Sequence, residues 1–225
     1  DEALEWAEKG LKAFPSRPDF RLHEFAAGEY HRRGRHQDAM KLIWAEFCER
    51  LYLEAWKTLR RHATEAGAWP EWRERALAEI RSRIAKTRAQ RTGQKVPLWQ
   101  RDGSDNSLLV EIFLDEQRVE DAWSEAQSGG CSGSLWLALA AKREAQHPVD
   151  AAPIYLKYAE AGVTATTNGR YEDAVKLLIK AAAVMRGMGR SAEFAQQLNA
   201  LCTKYRIKRN FVKLVEQNRP ELYRP

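Results

Sequence analysis

One short pattern, Gly-Arg-x-x-(Asp/Glu)-Ala, recurs along this chain of 225 residues. Clear copies start at Gly34 and Gly169, a weaker copy starts at Gln117, and a degenerate one starts at Gly189. Each copy is followed by apolar residues at helical spacing. Because one helix-turn-helix pair cannot bury its apolar faces alone, the recurring pattern predicts an array of helical repeats that cover one another.

Apolar periodicity predicts helices along most of the chain. Residues 19–33 place Leu22, Ala26 and Tyr30 on one helix face. Gly34 is expected to end that helix, since glycine readily adopts the positive φ needed at a helix end. We expect about eleven helices and almost no sheet, because no stretch alternates polar and apolar residues between hairpin signals.

A break in the periodicity divides the chain. Residues 92–104 contain two glycines, a proline and polar neighbours, which is typical of a loop. We therefore expect an N-terminal helical half in residues 1–91 and a C-terminal half in residues 105–225, as one continuous array. The predicted fold class is all-α, an α-solenoid of antiparallel helix pairs with irregular repeats, with a turn at Asn168-Gly169.

Composition excludes a membrane span and argues against a disulfide framework. The longest apolar run, residues 135–141, is far shorter than the roughly 20 residues that cross a bilayer. The three cysteines, Cys48, Cys131 and Cys202, are widely separated. An odd, scattered set of cysteines favours free thiols in a reducing compartment, so we expect a cytoplasmic protein.

Residues 20–53 resemble a tetratricopeptide repeat unit, with Tyr30, Gly34, Ala39 and Ile43 in register. The first helix, around Ala3, Ala7 and Gly10, is similar to the second helix of such a repeat. This resemblance implies that the sequence starts within a repeat and is a piece of a longer protein.

A second resemblance covers most of the chain. The segments 147–155, 171–175 and 194–210 resemble the helical C-terminal region of bacterial SWIM zinc-finger proteins, and residues 6–11 and 29–34 are similar to the same family. The resemblance implies the helical part of a multidomain protein whose zinc finger contacts DNA or protein. The Cys-x-Cys and Cys-x-His ligand pairs of that finger do not occur in this sequence, so no zinc is carried over.

The remaining candidates for catalysis and metal binding have structural interpretations. Ser132 follows Gly130-Cys131, but a nucleophile elbow needs a preceding strand, so Ser132 or Ser134 is expected to cap a helix. His31 and His36 lie five residues apart across a turn and are expected to point in different directions, not to share a metal. The sequence therefore predicts no enzyme and no cofactor.

A basic segment spans residues 73–101, with nine Lys/Arg against Glu74 and Glu79 and hence a local charge of +7, compared with +6 for the whole chain. Three interpretations stay open: a solvated helix that pairs with the acidic residues of 105–125, a surface for an acidic protein, or a ridge that binds phosphates by counterion release. The candidate nucleic-acid-binding residues include a second basic cluster near the C-terminus. They are Arg81, Arg83, Lys86, Arg88, Arg91, Lys95, Lys204, Arg206, Lys208 and Arg209.

A helical array of this kind predicts a non-enzymatic scaffold that holds a protein partner, or another domain of its own chain, by several weak contacts. The candidate contact residues, on the first helices of successive pairs, are His23, Lys57 and Arg60. The alternative is a nucleic-acid-binding accessory module that uses the basic ridge.

Overall fold

The computed structural model describes residues 2–13, 20–91, 106–165 and 168–223. These ranges contain thirteen helices and no strand, which confirms the predicted all-α class. The number exceeds the eleven expected, and one of the thirteen helices, at residues 219–222, is only four residues long. The helices are α1 (Glu2–Ala13), α2 (Phe20–Arg32), α3 (His36–Glu49), α4 (Leu53–Glu65), α5 (Trp69–Arg91), α6 (Ser107–Asp115), α7 (Val119–Gly129), α8 (Gly133–Arg143), α9 (Pro148–Thr164), α10 (Asn168–Gly187), α11 (Ser191–Lys204), α12 (Arg209–Gln217) and α13 (Arg219–Leu222).

The chain divides into two compact units. Unit 1 comprises α1–α5 and most of α6, and unit 2 comprises α7–α13. In both units the most extensive helix–helix contacts join helices that follow each other along the chain. In unit 2, α10 also packs against α12 and α13. In the described ranges, none of the helices is both long enough and apolar enough to cross a bilayer.

Aromatic and branched side chains form the core of unit 1. Trp56 and Leu59 of α4 are completely buried, and Ile43 and Phe47 of α3 are nearly so. The Phe47 and Trp56 rings lie 6.4 Å apart between centroids. The spacing of four residues between Ile43 and Phe47 is that of one helix face, so the apolar stripe of the sequence is also the packed stripe.

Unit 2 is built around α9 and α10. Tyr155 and Val163 of α9 are buried against a core that includes Leu178 of α10 and Leu198 of α11. These side chains repeat at intervals that keep them on one helix face, and the opposite face of α9 is left partly exposed.

Three copies of the recurrent pattern end one helix and start the next. Gly34 and Gly189 both have φ of 71°, and Gln117 has φ of 60° at the equivalent position. The backbone N–H of Arg35 donates to the carbonyl of Tyr30 at 2.8 Å, as expected of a helix end closed by a left-handed residue. These three positions therefore require the left-handed conformation that glycine adopts most readily, and the predicted helix end at Gly34 is confirmed.

The arginine and the acidic residue of the pattern pair with each other. The guanidinium Nε lies 3.0 Å from the carboxylate in Arg35–Asp38 and 2.7 Å from it in Arg118–Asp121 and Arg190–Glu193. Because the carboxylate sits in the first turn of the new helix, it also interacts favourably with the helix dipole.

The copy at Gly169 behaves differently. Gly169 lies in the first turn of α10, which begins at Asn168, so the predicted turn at Asn168-Gly169 is wrong. α9 already ends at Thr164, and the connection therefore precedes the pattern instead of lying within it. A glycine inside a first turn needs no positive φ, and the sequence pattern alone does not distinguish the two cases.

Candidate functional site

Four candidate cations are exposed on the second half of α5. They are Arg81, Arg83, Lys86 and Arg88. Leu77 and Ile80 bury the other side of the same helix, and every side chain from Ala85 to Gln90 is exposed. The side chain of Arg91 and all of Lys95 lie outside the described residues. α5 therefore carries a cationic, largely solvated end.

Part of the basic segment serves the fold of unit 1. Arg73 binds Glu116 through two hydrogen bonds, Nε to Oε1 at 3.0 Å and Nη2 to Oε2 at 2.6 Å. Arg75 lies over the rings of Trp44 and Trp72, at 4.4 and 4.8 Å from the centroids. Arg73 and Arg75 are therefore engaged by the protein itself.

Arg83 is bonded to the protein and is also exposed to solvent. Its Nε lies 2.7 Å from Glu79 Oε1, and its Nη2 donates to the carbonyl oxygen of Cys48 at 2.7 Å. The second bond satisfies a carbonyl near the C-terminal end of α3, where helix carbonyls lack partners within the helix. Arg83 thus ties α5 to α3 while its side chain stays largely exposed.

The second basic cluster belongs to unit 2. Lys208 donates to the carbonyl of Val163 at 2.6 Å and to that of Thr164 at 3.2 Å, so it caps the C-terminus of α9. Lys204 lies 2.7 Å from Glu160 Oε1 and lowers the pKa of that carboxyl by hydrogen bonding. Arg206 and Arg209 are exposed.

The three residues predicted to bind a partner have contacts within unit 1. His23 is buried, with Nδ1 3.4 Å from Glu46 Oε2. Arg60 and Lys57 both approach the Asp115 carboxylate, at 3.2 and 3.6 Å. Arg60 and Lys57 connect α4 to α6 in this way, and both remain partly exposed.

The exposed side of α9 borders three grooves within unit 2. Their volumes are about 290, 550 and 370 Å³. Lys157 lines the first and third, and Tyr158 lines the first and second, so the grooves adjoin along one helix. The partly exposed apolar residues among their walls include Trp123, Trp136, Leu137, Ile154, Leu156, Leu177 and Leu201. No sequence pattern points to these residues, because grooves between helices depend on packing.

The serine and cysteine candidates show no activated nucleophile. Ser132 precedes α8 as predicted, but its Oγ lies 3.0 Å from Ser134 Oγ and makes no hydrogen bond to the helix backbone. Burial raises the pKa of all three thiols, that of Cys131 to about 11. A thiol with a raised pKa is protonated near neutral pH and is therefore a poor nucleophile.

His31 and His36 meet, contrary to the sequence prediction that they point apart. Their Nδ1 atoms are 2.7 Å apart, because the turn at Gly34 folds α3 back against α2. The ring of His62 from α4 stacks on His31 with a centroid distance of 5.1 Å. Burial lowers the pKa of His31, and lowers that of His62 to about 4, so both imidazoles are neutral at pH 7.

No protein-family model, curated protein or solved structure matches this chain.

Proposed function

We propose that this chain is a non-enzymatic scaffold for protein–protein interaction, and that unit 2 binds its partner along α9. The observation that carries the proposal is the row of adjoining grooves, in which apolar side chains alternate with charged ones. Apolar pockets with a small number of polar groups are typical of surfaces that bind other molecules.

The packing of α9 supports this role. Tyr155, Ala159 and Val163 are buried on one side of the helix. This holds Ile154 and Tyr158 in fixed positions on the other side, where they line the grooves. A pre-organised surface loses little conformational entropy on binding, so several modest contacts can add up to a stable complex.

The wider proposal follows the sequence resemblances. The helices pack mainly on their neighbours in the chain, which supports an irregular, tetratricopeptide-like solenoid of antiparallel pairs. In this proposal the chain is the helical part of a larger SWIM-related bacterial protein, and the partner is another protein or another domain of its own chain. The free cysteines support a reducing, cytoplasmic location.

A photo-crosslinking experiment tests the scaffold proposal. A photoreactive amino acid replaces Ala161, an exposed residue that lines the 550 Å³ groove, in the protein expressed in its source cells. Lys142 on α8 is also exposed and serves as the control position. We expect a defined protein to crosslink from Ala161 and not from Lys142.

A second substitution makes the result decisive. Leu177→Lys puts a charge into the same groove and should weaken binding of the captured partner by about tenfold or more, as expected for an apolar anchor. If the same proteins crosslink from both positions, or if Leu177→Lys leaves binding unchanged while circular dichroism shows an intact fold, the proposal is wrong.

The cationic end of α5 favours a second candidate, a nucleic-acid-binding accessory module. Arg81, Lys86 and Arg88 are exposed there, and a helix with several exposed cations binds phosphates with a steep salt dependence.

Fluorescence anisotropy with labelled single-stranded DNA, duplex DNA and RNA tests this alternative. Reversing the charges of Arg81, Arg83, Lys86 and Arg88 to Glu should abolish binding. The matched control, which has the same net charge, reverses four exposed cations of unit 2: Lys142, Lys176, Lys213 and Arg219. If both variants lose nucleic-acid binding equally, binding depends on net charge and not on α5. If the unmodified chain does not bind at low salt, the nucleic-acid-binding module is excluded.

A further inference from the structure

Three helices of unit 1 bring a cluster of histidines together. His31 comes from the end of α2, His36 from the start of α3 and His62 from the end of α4. The two outer helices, α2 and α4, both pack against α3. The cluster also includes Glu65, one turn after His62 on α4, and it is unrelated to the grooves of unit 2.

Two of these histidines are buried and have ring nitrogens that lack hydrogen-bond partners. His31 is 5% exposed and His62 is 4% exposed. Nε2 of His31 and both ring nitrogens of His62 have no partner. Since a neutral imidazole has one donor and one acceptor nitrogen, three polar atoms are left unsatisfied in the interior. Leaving such an atom unsatisfied is costly, and native proteins rarely leave several of them together.

The unsatisfied nitrogens lie beside a carboxylate. One potential ligand atom each from His31, His62 and Glu65 can be chosen so that all three lie within 4.8 Å of one another. Donor atoms of a tetrahedral zinc site are about 3.3 Å apart, given zinc–ligand distances of about 2.0–2.2 Å. Binding of an ion therefore requires side-chain rotations that bring the three ligand atoms closer together. Glu65 and His36 are exposed, which gives an ion a path from solvent.

We infer that His31, His62 and Glu65 form a binding site for a divalent transition-metal ion, Zn²⁺ being the best match. Two imidazole nitrogens and one carboxylate oxygen are a donor set that Zn²⁺ uses, with a fourth position left for water. An ion at this site satisfies nitrogens that the protein leaves unpaired and joins α2 to α4 across α3.

His36 has a positioning role in this site. Its Nδ1 is within hydrogen-bond distance of His31 Nδ1, so it fixes the orientation of the His31 ring and leaves Nε2 of His31 for the ion. Metal-bound histidines usually have such a partner on the other ring nitrogen, and loss of it typically weakens binding about 10- to 100-fold.

Calorimetric titration of ZnCl₂ into the untagged, chelator-treated chain tests the inference. We expect one ion per chain with a Kd below about 10 μM. Excess zinc should raise Tm by about 5 °C or more, because an ion that binds only the folded state stabilises it. X-ray absorption of the zinc-loaded protein should show imidazole and oxygen ligands and no sulfur, which separates this site from the three cysteines.

Substitutions of His62, Glu65 and His36 test whether these residues bind the ion. His62→Asn should abolish binding, and Glu65→Gln and His36→Gln should each weaken it at least about tenfold. Glu65 and His36 are exposed, so their variants test the site even if His62→Asn does not fold. Glu54→Gln, at an exposed carboxylate on the same helix, and His147→Gln, at an exposed histidine of unit 2, are the matched controls and should bind as the unmodified chain does.

Several results would overturn the inference. They are a Kd above about 100 μM, sulfur in the coordination shell, or equal affinity in Glu65→Gln, His36→Gln and the unmodified chain. If Tm is the same with and without zinc, the ion has no structural role in unit 1.

Discussion

At the scale of single residues, small side chains decide how closely α9 and α10 approach. A Cβ atom added at Gly162 would lie 3.1 Å from the carbonyl oxygen of Arg170 and 3.2 Å from Cβ of Ala174. Both neighbours belong to the first half of α10, and a backbone carbonyl cannot move aside as a flexible side chain can. Gly162 is therefore required by packing, not by backbone conformation.

Replacing Gly162 with Ala should lower the free energy of unfolding by about 1–3 kcal/mol, as overpacking does elsewhere. The matched control is Gly28→Ala in α2, where an added Cβ meets nothing within 4 Å. That change should instead stabilise the protein by about 0.5–1 kcal/mol, since alanine is the better helix former. Urea denaturation of both variants measures whether the two changes in free energy of unfolding have opposite signs. Equal changes would contradict this explanation.

A buried tyrosine should make stability depend on alkaline pH. Burial, together with the hydrogen bond that Tyr155 donates to Glu144 Oε2 at 2.6 Å, raises the pKa of Tyr155 above its ordinary value of 10. Because the folded pKa is raised, the stabilisation is fully present below pH 10 and is lost as the pH rises toward the folded pKa.

Tyr155→Phe should cost about 1 kcal/mol at pH 7 for the lost hydrogen bond. The difference in free energy of unfolding between this variant and the unmodified chain should shrink above pH 10. The reason is that Tyr155 ionises in the unfolded state, whereas phenylalanine at that position does not. Tyr52→Phe at an exposed position controls for removal of a hydroxyl. A difference that stays constant from pH 7 to 11 would contradict the assigned cause.

At the scale of helices, three of the four copies of the recurrent pattern place a residue of positive φ between the end of one helix and the start of the next. Gly34 and Gly189 adopt positive φ at helix ends, and Gln117 adopts it between α6 and α7 despite its side chain. A left-handed conformation is unfavourable for residues other than glycine by about 1–2 kcal/mol. The weak copy of the pattern is therefore a position where the sequence departs from the preferred residue.

Gln117→Gly should stabilise the protein by about 0.5–1 kcal/mol because it relieves this conformational cost, less the entropy that glycine adds to the unfolded chain. Gly189→Ala, the reverse change at an equivalent position, should destabilise the protein by about 1 kcal/mol. Thermal unfolding of the two variants provides the comparison. A destabilised Gln117→Gly variant would mean that the glutamine side chain has a role that outweighs the backbone cost.

At the scale of the whole molecule, each of the two units has its own core. The histidine cluster lies in unit 1, whereas the grooves along α9 lie in unit 2. The inferred metal site and the proposed partner surface can therefore be tested separately, because each has its effect within its own unit.

Hydrogen–deuterium exchange should show this separation. Zinc should slow amide exchange in α2–α4 and leave α9–α10 unchanged, and Gly162→Ala should accelerate exchange in α9–α10 and leave α2–α4 unchanged. Exchange reports the free energy of local opening, so it distinguishes the two regions within one protein. Changes spread evenly over both units in either experiment would contradict this prediction.

The sequence by itself determined the all-α class, the helix predicted over residues 19–33 and its end at Gly34. These features depend on residues within one or two turns of each other, through the period of the apolar stripe and the φ preference of glycine. Only the tertiary structure brought His62 onto His31, opened the grooves along α9 and selected Glu116, among the acidic residues of 105–125, as the partner of Arg73. Residues far apart in the chain meet only when helices pack, and local periodicity carries no information about which side chains will face each other across a helix interface.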